Sequence, residues 1–243
     1  MSGRNGIFDR TGRLVGKSVM EHLADIRVLV VGVGGVGSWC AEGLVRSGVC
    51  RITIADPDSV CLSNVNRQLM ATLRTIGESK VSALRERLLA INPEADITAR
   101  CERFCQESEA SFHLEDYDYI IDAIDNIPDK ARLILAALNT DAVLFSSMGA
   151  ALKMDPSRIS VREFWKVTGC PLARALRNRF KKSGCYPKRK FLCVFSEERL
   201  ENIPSDYTGD TGNGSVVHIT ATFGFRLSAL VLEDAITFCS GSV

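Results

Sequence analysis

The apolar positions of this chain come in short unbroken runs separated by stretches of helical period. The run Arg27-Val-Leu-Val-Val enters a glycine-rich stretch and predicts a strand over 28–33. Val36, Cys40 and Leu44 then share one face, which predicts a helix over 38–47 that Gly48 ends. Arg51-Ile-Thr-Ile-Ala55 predicts a second strand. Val81, Leu84, Leu88 and Ile91 line one face of a helix over 79–91, stopped by Asn92-Pro93. Strands are expected over 96–101 and 142–145, and Tyr117-Asp-Tyr-Ile-Ile121 reads as a buried one. Pro128 opens a helix over 129–139. Ahead of all this, residues 1–26 form a polar lead with one short helical pattern, Ser18 to Asp25. Strand and helix alternate through residue 147, the pattern of an α/β fold with a doubly wound, mainly parallel sheet.

After Gly149 the pattern changes. Arg158-Ile-Ser-Val161 predicts a strand, and 162–190 is a basic stretch in which Lys181-Lys-Ser-Gly and Tyr186-Pro-Lys-Arg-Lys read as loops. Residues 200–214, rich in Gly, Asp, Ser and Asn, are expected to be mobile. An apolar helix is expected over 215–237. Its apolar run, Val216 to Leu232, is interrupted by His218 and Arg226, short of the roughly 18–20 uncharged residues of a membrane span. It reads as a buried C-terminal element, with membrane association as the alternative. A chain of 243 residues fits one integrated domain, divided here into 1–150 and a C-terminal continuation, 151–243, with a basic lobe.

Charge sharpens that division. The total is +1, yet Arg158 to Lys190 holds eleven Lys and Arg against one acid, Glu163, so +10 there stands beside −9 elsewhere. Such asymmetry signals a partner. Arg174, Arg177, Lys181 and Lys182 recur at helical spacing beside the cluster Lys188, Arg189 and Lys190.

The nine Cys are odd in number and irregularly spaced, and the N-terminus is polar, so reduced thiols and a cytoplasmic location are expected. There is no CxxC; Cys101 and Cys105 lack a second pair, so no structural zinc is expected. Cys193, among apolar neighbours, reads as a buried small hydrophobe rather than a reactive thiol. His22, His113 and His218 show no partner pattern and receive no catalytic role.

Gly32-Val-Gly-Gly-Val-Gly37 lies between a strand and a helix, where backbone N–H groups approach a phosphate. Asp56, at the tip of the second strand, is placed to bind ribose hydroxyls. Asp58 either joins it or only caps the turn. Alone, these features would suit NAD. The connection over 56–79 is long enough to be functional, and it leads to Arg67 and Lys80; Asp122-Ala-Ile-Asp-Asn126 follows later. Arg67 and Lys80 would neutralise a triphosphate, and Asp125 would hold the metal bridging its oxygens. Hydride transfer needs no such set, so ATP and Mg2+ are the expected ligands. Asp122 either supports the site from behind or simply ends a strand.

Ser63-Asn-Val-Asn-Arg-Gln68, Gly77-Glu-Ser-Lys-Val81, Ile91-Asn-Pro93 and Asp122-Ala-Ile-Asp-Asn126 together resemble the ThiF/MoeB-type adenylating superfamily, which includes the ubiquitin-activating enzymes. The resemblance covers residues 13–150 closely and implies a Rossmann-like sheet. It places Gly32, Gly34, Gly35 and Gly37 beneath ATP, with Gly35 against the phosphates, and Asp56 and Asp58 toward the ribose. Ser63, Asn64 and Arg67 fall in the loop over the triphosphate, and Lys80 reaches the phosphates. Asp125, beside Asn126, holds magnesium and the reacting phosphate. It also implies a homodimer in which an Arg crosses from the partner: Arg13 here, with Arg10 second. The zinc-binding CxxC pairs and the catalytic-cysteine loop of the thioester-forming members are missing.

Arg13-Leu-Val-Gly16, Met154-Asp-Pro-Ser-Arg-Ile159, Pro171-Leu-Ala-Arg-Ala-Leu-Arg177, Cys193-Val-Phe-Ser-Glu197 and Thr220-Ala-Thr-Phe-Gly-Phe225 are similar to one branch of that superfamily, the tRNA threonylcarbamoyladenosine dehydratases. This likeness runs from about residue 10 to 238. It implies ATP activation of a carboxylate beside a tRNA anticodon and ring closure with loss of water. It also makes tRNA the partner of Arg174, Arg177, Lys181, Lys182, Lys188, Arg189 and Lys190. The alternatives are adenylation of a ubiquitin-like sulfur carrier and a non-catalytic nucleotide-binding scaffold. A sulfur-transfer protein as a further partner stays open.

Overall fold

The computed structural model of the chain describes residues 6–203 and 212–241. Seven strands form one sheet: β1 Arg27–Val31, β2 Arg51–Ala55, β3 Asp96–Arg100, β4 Tyr119–Asp122, β5 Val143–Ser147, β6 Ile159–Glu163 and β7 Leu192–Ser196. Their order is β3-β2-β1-β4-β5-β7-β6. All neighbours pair in parallel except β6, which runs antiparallel along the edge of β7. The doubly wound α/β sheet expected from the sequence is the one observed.

Helices cover both faces, which is why the central strands are apolar without alternation. Val28 and Val30 of β1 point into a core shared with α3 (Gly37–Ser47), α4 (Lys80–Ile91) and α7 (Val217–Ser240). Leu29 and Val31 point the other way, toward α5 (Ile127–Ala137) and α6 (Pro171–Ser183). α2 (Lys17–Asp25) packs on α7, burying Val19 and Leu23. The apolar C-terminal helix is therefore spent on the core. Among the described residues no helix is long and apolar enough to cross a membrane.

Several expectations are corrected. The lead carries a second helix, α1 (Asp9–Val15), which buries none of its residues and so leaves no apolar periodicity to read. Lys181-Lys-Ser is not a loop but the last turn of α6, and Gly184 ends the helix at φ 68°. β7 was not expected: Cys193 to Ser196 are all buried, so the strand shows no alternation. The C-terminal half does not build a lobe of its own; β6 and β7 lengthen the same sheet and α6 and α7 cover its two faces. Of the segment 200–214, residues 204–211 lie outside the described residues. Its far end is held where Leu152 N donates to Gly214 O at 2.9 Å.

Candidate active site

The glycine turn joins β1 to α3 where β4 also ends. Gly32 has φ 87°, and a Cβ there would lie 2.7 Å from the Ala123 carbonyl oxygen. A Cβ on Gly37 would overlap the Gly32 carbonyl oxygen. Both positions therefore exclude a side chain, and the chain doubles back tightly between β1 and α3. Gly34 accepts from Ser38 Oγ at 2.6 Å and lies under Gln68. Gly35 lies under Arg67 and Thr220.

Asp56 follows the last residue of β2 and is buried. Its Oδ2 accepts from Val33 N at 2.9 Å and its Oδ1 from Asp58 N at 3.0 Å. Burial pushes its carboxyl above the usual range, while Lys80 and the two N–H donors oppose that rise. Lys80 opens α4 with its side chain only 8% exposed. Its Nζ lies 2.7 Å from Asp58 Oδ2 and 3.7 Å from Asp56 Oδ1. Thus Asp58 is more than a turn cap: it holds the lysine beside the glycine turn.

The loop over 56–79 is fastened from within. Asn64 is buried and its Oδ1 accepts from Cys61 N at 3.1 Å. Arg67 Nη1 donates to the Ser63 carbonyl at 2.8 Å and to Asn66 Oδ1 at 2.9 Å. The Arg67 carbonyl accepts from Trp39 Nε1 at 3.1 Å. Gln68 is buried, yet its Oε1 has no hydrogen-bond partner among the described residues. Trp39, Gln68 and Thr220 were not singled out from the sequence; Gln68 closes the SNVNRQ motif that contained the signal.

At the end of β4, Asp122 is fully buried. Its Oδ2 meets Lys130 Nζ and Ser146 Oγ, each at 2.7 Å, and its Oδ1 accepts from Ile124 N at 3.2 Å. Burial raises its carboxyl, with the Lys130 charge opposing. Lys130 Nζ also donates to the Ile124 carbonyl at 3.0 Å. This buried pair clamps the backbone beside Asp125, so Asp122 does more than end a strand. Asp125 itself is exposed and has no ion-pair partner among the described residues. Asn126 caps α5, its Oδ1 accepting from Asp129 N at 3.0 Å.

These residues fit ATP and a magnesium ion. The turn admits no side chain at Gly32 or Gly37, the Gln68 carbonyl is a buried acceptor awaiting a donor, and Lys80 supplies a cation. Mg2+ takes one or two carboxylates and completes its shell with phosphate oxygens and water, and Asp125 offers that carboxylate.

Other assigned residues lie elsewhere. Arg13 and Arg10 sit exposed on α1, whose packing partner is α2. Cys193 is buried in β7, and burial pushes its thiol well above the ordinary value, as a packed small hydrophobe. Arg177 donates from Nη1 to the carbonyls of Phe164 (3.2 Å) and Val167 (2.9 Å). Arg189 donates to the carbonyls of Thr140 and Ala142. These two of the seven basic candidates brace backbone. Arg174, Lys181, Lys182, Lys188 and Lys190 are exposed.

The ThiF family model matches residues 8–197. A tRNA threonylcarbamoyladenosine dehydratase of Bacillus subtilis is 40% identical over 206 residues, covering 85% of this chain and 80% of that protein. One of Escherichia coli is 37% identical over 238 residues, covering 90% and 89%. The crystal structure of the E. coli tRNA N6-threonylcarbamoyladenosine dehydratase in complex with ATP superposes with a TM-score of 0.88 at 35% identity, covering 98% of this chain and 96% of that one.

Proposed function

The chain belongs to the ThiF family, and we propose that it is an ATP-dependent tRNA threonylcarbamoyladenosine dehydratase. The observation that carries this reading is the placement of the glycine turn, Lys80 and the exposed carboxylate of Asp125 at the carboxyl ends of β1, β2 and β4. The similarity to dehydratases extends through the C-terminal half and supports this branch over the sulfur-carrier adenylating one.

A carboxylate is a poor electrophile until one oxygen becomes a leaving group. In the proposed reaction the threonyl carboxylate attacks the α-phosphorus of ATP, forming an acyl adenylate and releasing pyrophosphate. The ureido group of the same nucleoside then attacks the acyl carbon, loses a proton and expels AMP, which carries away the carboxylate oxygen. The nucleoside thus loses the elements of water. Because the nucleophile is already tethered, the protein need supply orientation rather than a thiol.

The glycine turn presents backbone N–H groups to the phosphates, and Asp56 retains acceptor capacity for the ribose. Lys80 and Arg67 offset the charge that grows between carboxylate and α-phosphate. Asp125 would hold Mg2+, which polarises the phosphate oxygens. Lys130 and Asp122 keep the Asp125 backbone in place. A homodimer is proposed in which Arg13 reaches the partner's triphosphate; Leu14, beside it, is an apolar side chain 85% exposed on α1. Arg174, Lys181, Lys182, Lys188 and Lys190 would contact tRNA phosphates. ATP and tRNA make the cytoplasm the proposed location.

The test is mass spectrometry of nucleosides from threonylcarbamoyladenosine-containing tRNA incubated with the protein, with and without ATP. Loss of one water only with ATP is expected. An unchanged nucleoside, with protein that binds ATP, overturns the reading.

A further inference from the structure

A cavity of about 340 Å³ lies beside the basic helix rather than at the glycine turn. Arg174, Arg177 and Asn178 of α6 line it together with Arg199, which follows β7. Three arginines from two segments thus border one cavity. Arg177 spends Nη1 on the Phe164 and Val167 carbonyls, which fixes its orientation and leaves Nε and Nη2 to donate. Glu197 packs on Gly169 of the cavity wall, and its carboxylate accepts from Thr168 Oγ1.

The backbone carrying Arg199 is held on both sides. Lys153, buried, donates from Nζ to the Glu198 carbonyl at 2.6 Å, and Leu200 N donates to the Leu152 carbonyl at 3.0 Å. Glu198 in turn accepts from Met154 N and Asp155 N, both at 2.9 Å. The cavity is therefore built on fixed backbone, and among the described residues none of Arg174, Arg177 and Arg199 forms an ion pair.

Its position matters as much as its charge. Arg199 lies past the carboxyl end of β7, and Leu172, in the first turn of α6, packs by Gly149 past the carboxyl end of β5. Asp125 lies past the carboxyl end of β4. Since β4, β5 and β7 are consecutive in the sheet, two interstrand steps of about 4.8 Å each separate β4 from β7. The arginine cavity and the adenylation site share one edge of the sheet.

We propose that this cavity seats a phosphodiester of the RNA substrate close to the reacting nucleoside, and thereby sets the register in which its carboxylate meets ATP. Guanidinium forks match phosphate oxygens two at a time, so several arginines around one cavity fix a phosphate's position and not merely its charge. Arg199 and Asn178 thereby join the RNA-contacting set. The inference rests on the proposed tRNA activity and refines it.

The test compares Arg174→Ala/Arg199→Ala with Lys181→Ala/Lys182→Ala, which alters equal charge at the other end of α6. Binding of modified tRNA is measured over a salt series, with ATP binding measured alongside. The arginine pair is expected to weaken tRNA binding at least about tenfold and to lower the salt slope by about 1 per residue removed, with ATP affinity unchanged. It is also expected to lower kcat, whereas the lysine pair raises KM alone. Equal losses for the two variants, or wild-type tRNA affinity in the arginine variant, overturn the inference. Inorganic phosphate is titrated as a separate probe. Arginine-dependent binding of it without any effect on tRNA would assign the cavity to free phosphate and also overturn the inference. Wild-type protein that leaves the nucleoside unchanged overturns the proposed function instead.

Discussion

Lys130 Nζ lies 2.7 Å from Asp122 Oδ2 with neither side chain exposed to solvent, directly behind the loop that carries Asp125. A buried charge without its partner is costly, so Lys130→Met should destabilise the protein by about 3–5 kcal/mol in urea unfolding. Lys130→Met/Asp122→Asn should recover part of that loss, because no unpaired charge remains. A double variant as unstable as the sum of the singles would show that the two residues are not coupled.

Lys80→Ala and Asp125→Ala should separate chemistry from folding. Asp125 is exposed, so its removal should leave Tm nearly unchanged while ATP-dependent nucleoside conversion falls at least about a hundredfold. Lys80→Ala should lose comparable turnover. Asp58→Asn should weaken ATP binding less than Lys80→Ala, because it frees the lysine without removing it. Near-wild-type rates in the Lys80 and Asp125 variants would reject the site.

The glycine turn gives a steric prediction. A methyl on Gly37 would overlap the Gly32 carbonyl oxygen, so the backbone must shift. Gly37→Ala should cost about 3 kcal/mol and remove measurable ATP binding by calorimetry. Retained ATP affinity would mean the turn is not the phosphate floor.

Glu42 predicts a pH dependence. It sits on α3 with its carboxylate 2.6 Å from Arg87 Nε on α4 and 2.8 Å from Arg46 Nε. Burial alone would raise its pKa, but the two guanidiniums outweigh that and hold it below the ordinary value of 4.5. A lowered folded pKa means stability present above the ordinary value and lost as pH falls through the folded one. Glu42→Gln should therefore be less stable than the parent at neutral pH, with the gap closing in acid. Urea unfolding across pH checks this; a gap that widens in acid would contradict it.

Much of the site was readable because chemistry and local backbone coincide there. Gly32 to Gly37, Lys80 at the start of α4 and Asp125 at the end of β4 all lie at junctions that apolar runs and helix period already mark. What Asp58 and Asp122 do was not readable. Each acts by a contact across 22 or 8 positions, to Lys80 or Lys130, that no spacing announces. Likewise, Arg177 and Arg189 look like their basic neighbours in sequence, yet each is oriented by one guanidinium nitrogen that donates to two backbone carbonyls of another segment.

The sequence by itself determined the alternating elements from β1 to β5, the glycine turn and the residues placed at strand ends, because burial of a strand or a helix face is written in local period. Only the tertiary structure decided that β7 inserts between β5 and β6, since a buried strand has no alternation and its neighbour is chosen by packing far along the chain. It alone decided that Arg174 and Arg199 meet in one cavity on the edge shared with Asp125. That meeting depends on how the segment before α6 packs at Gly169 against Glu197 after β7, a contact between residues 28 positions apart that neither segment carries alone.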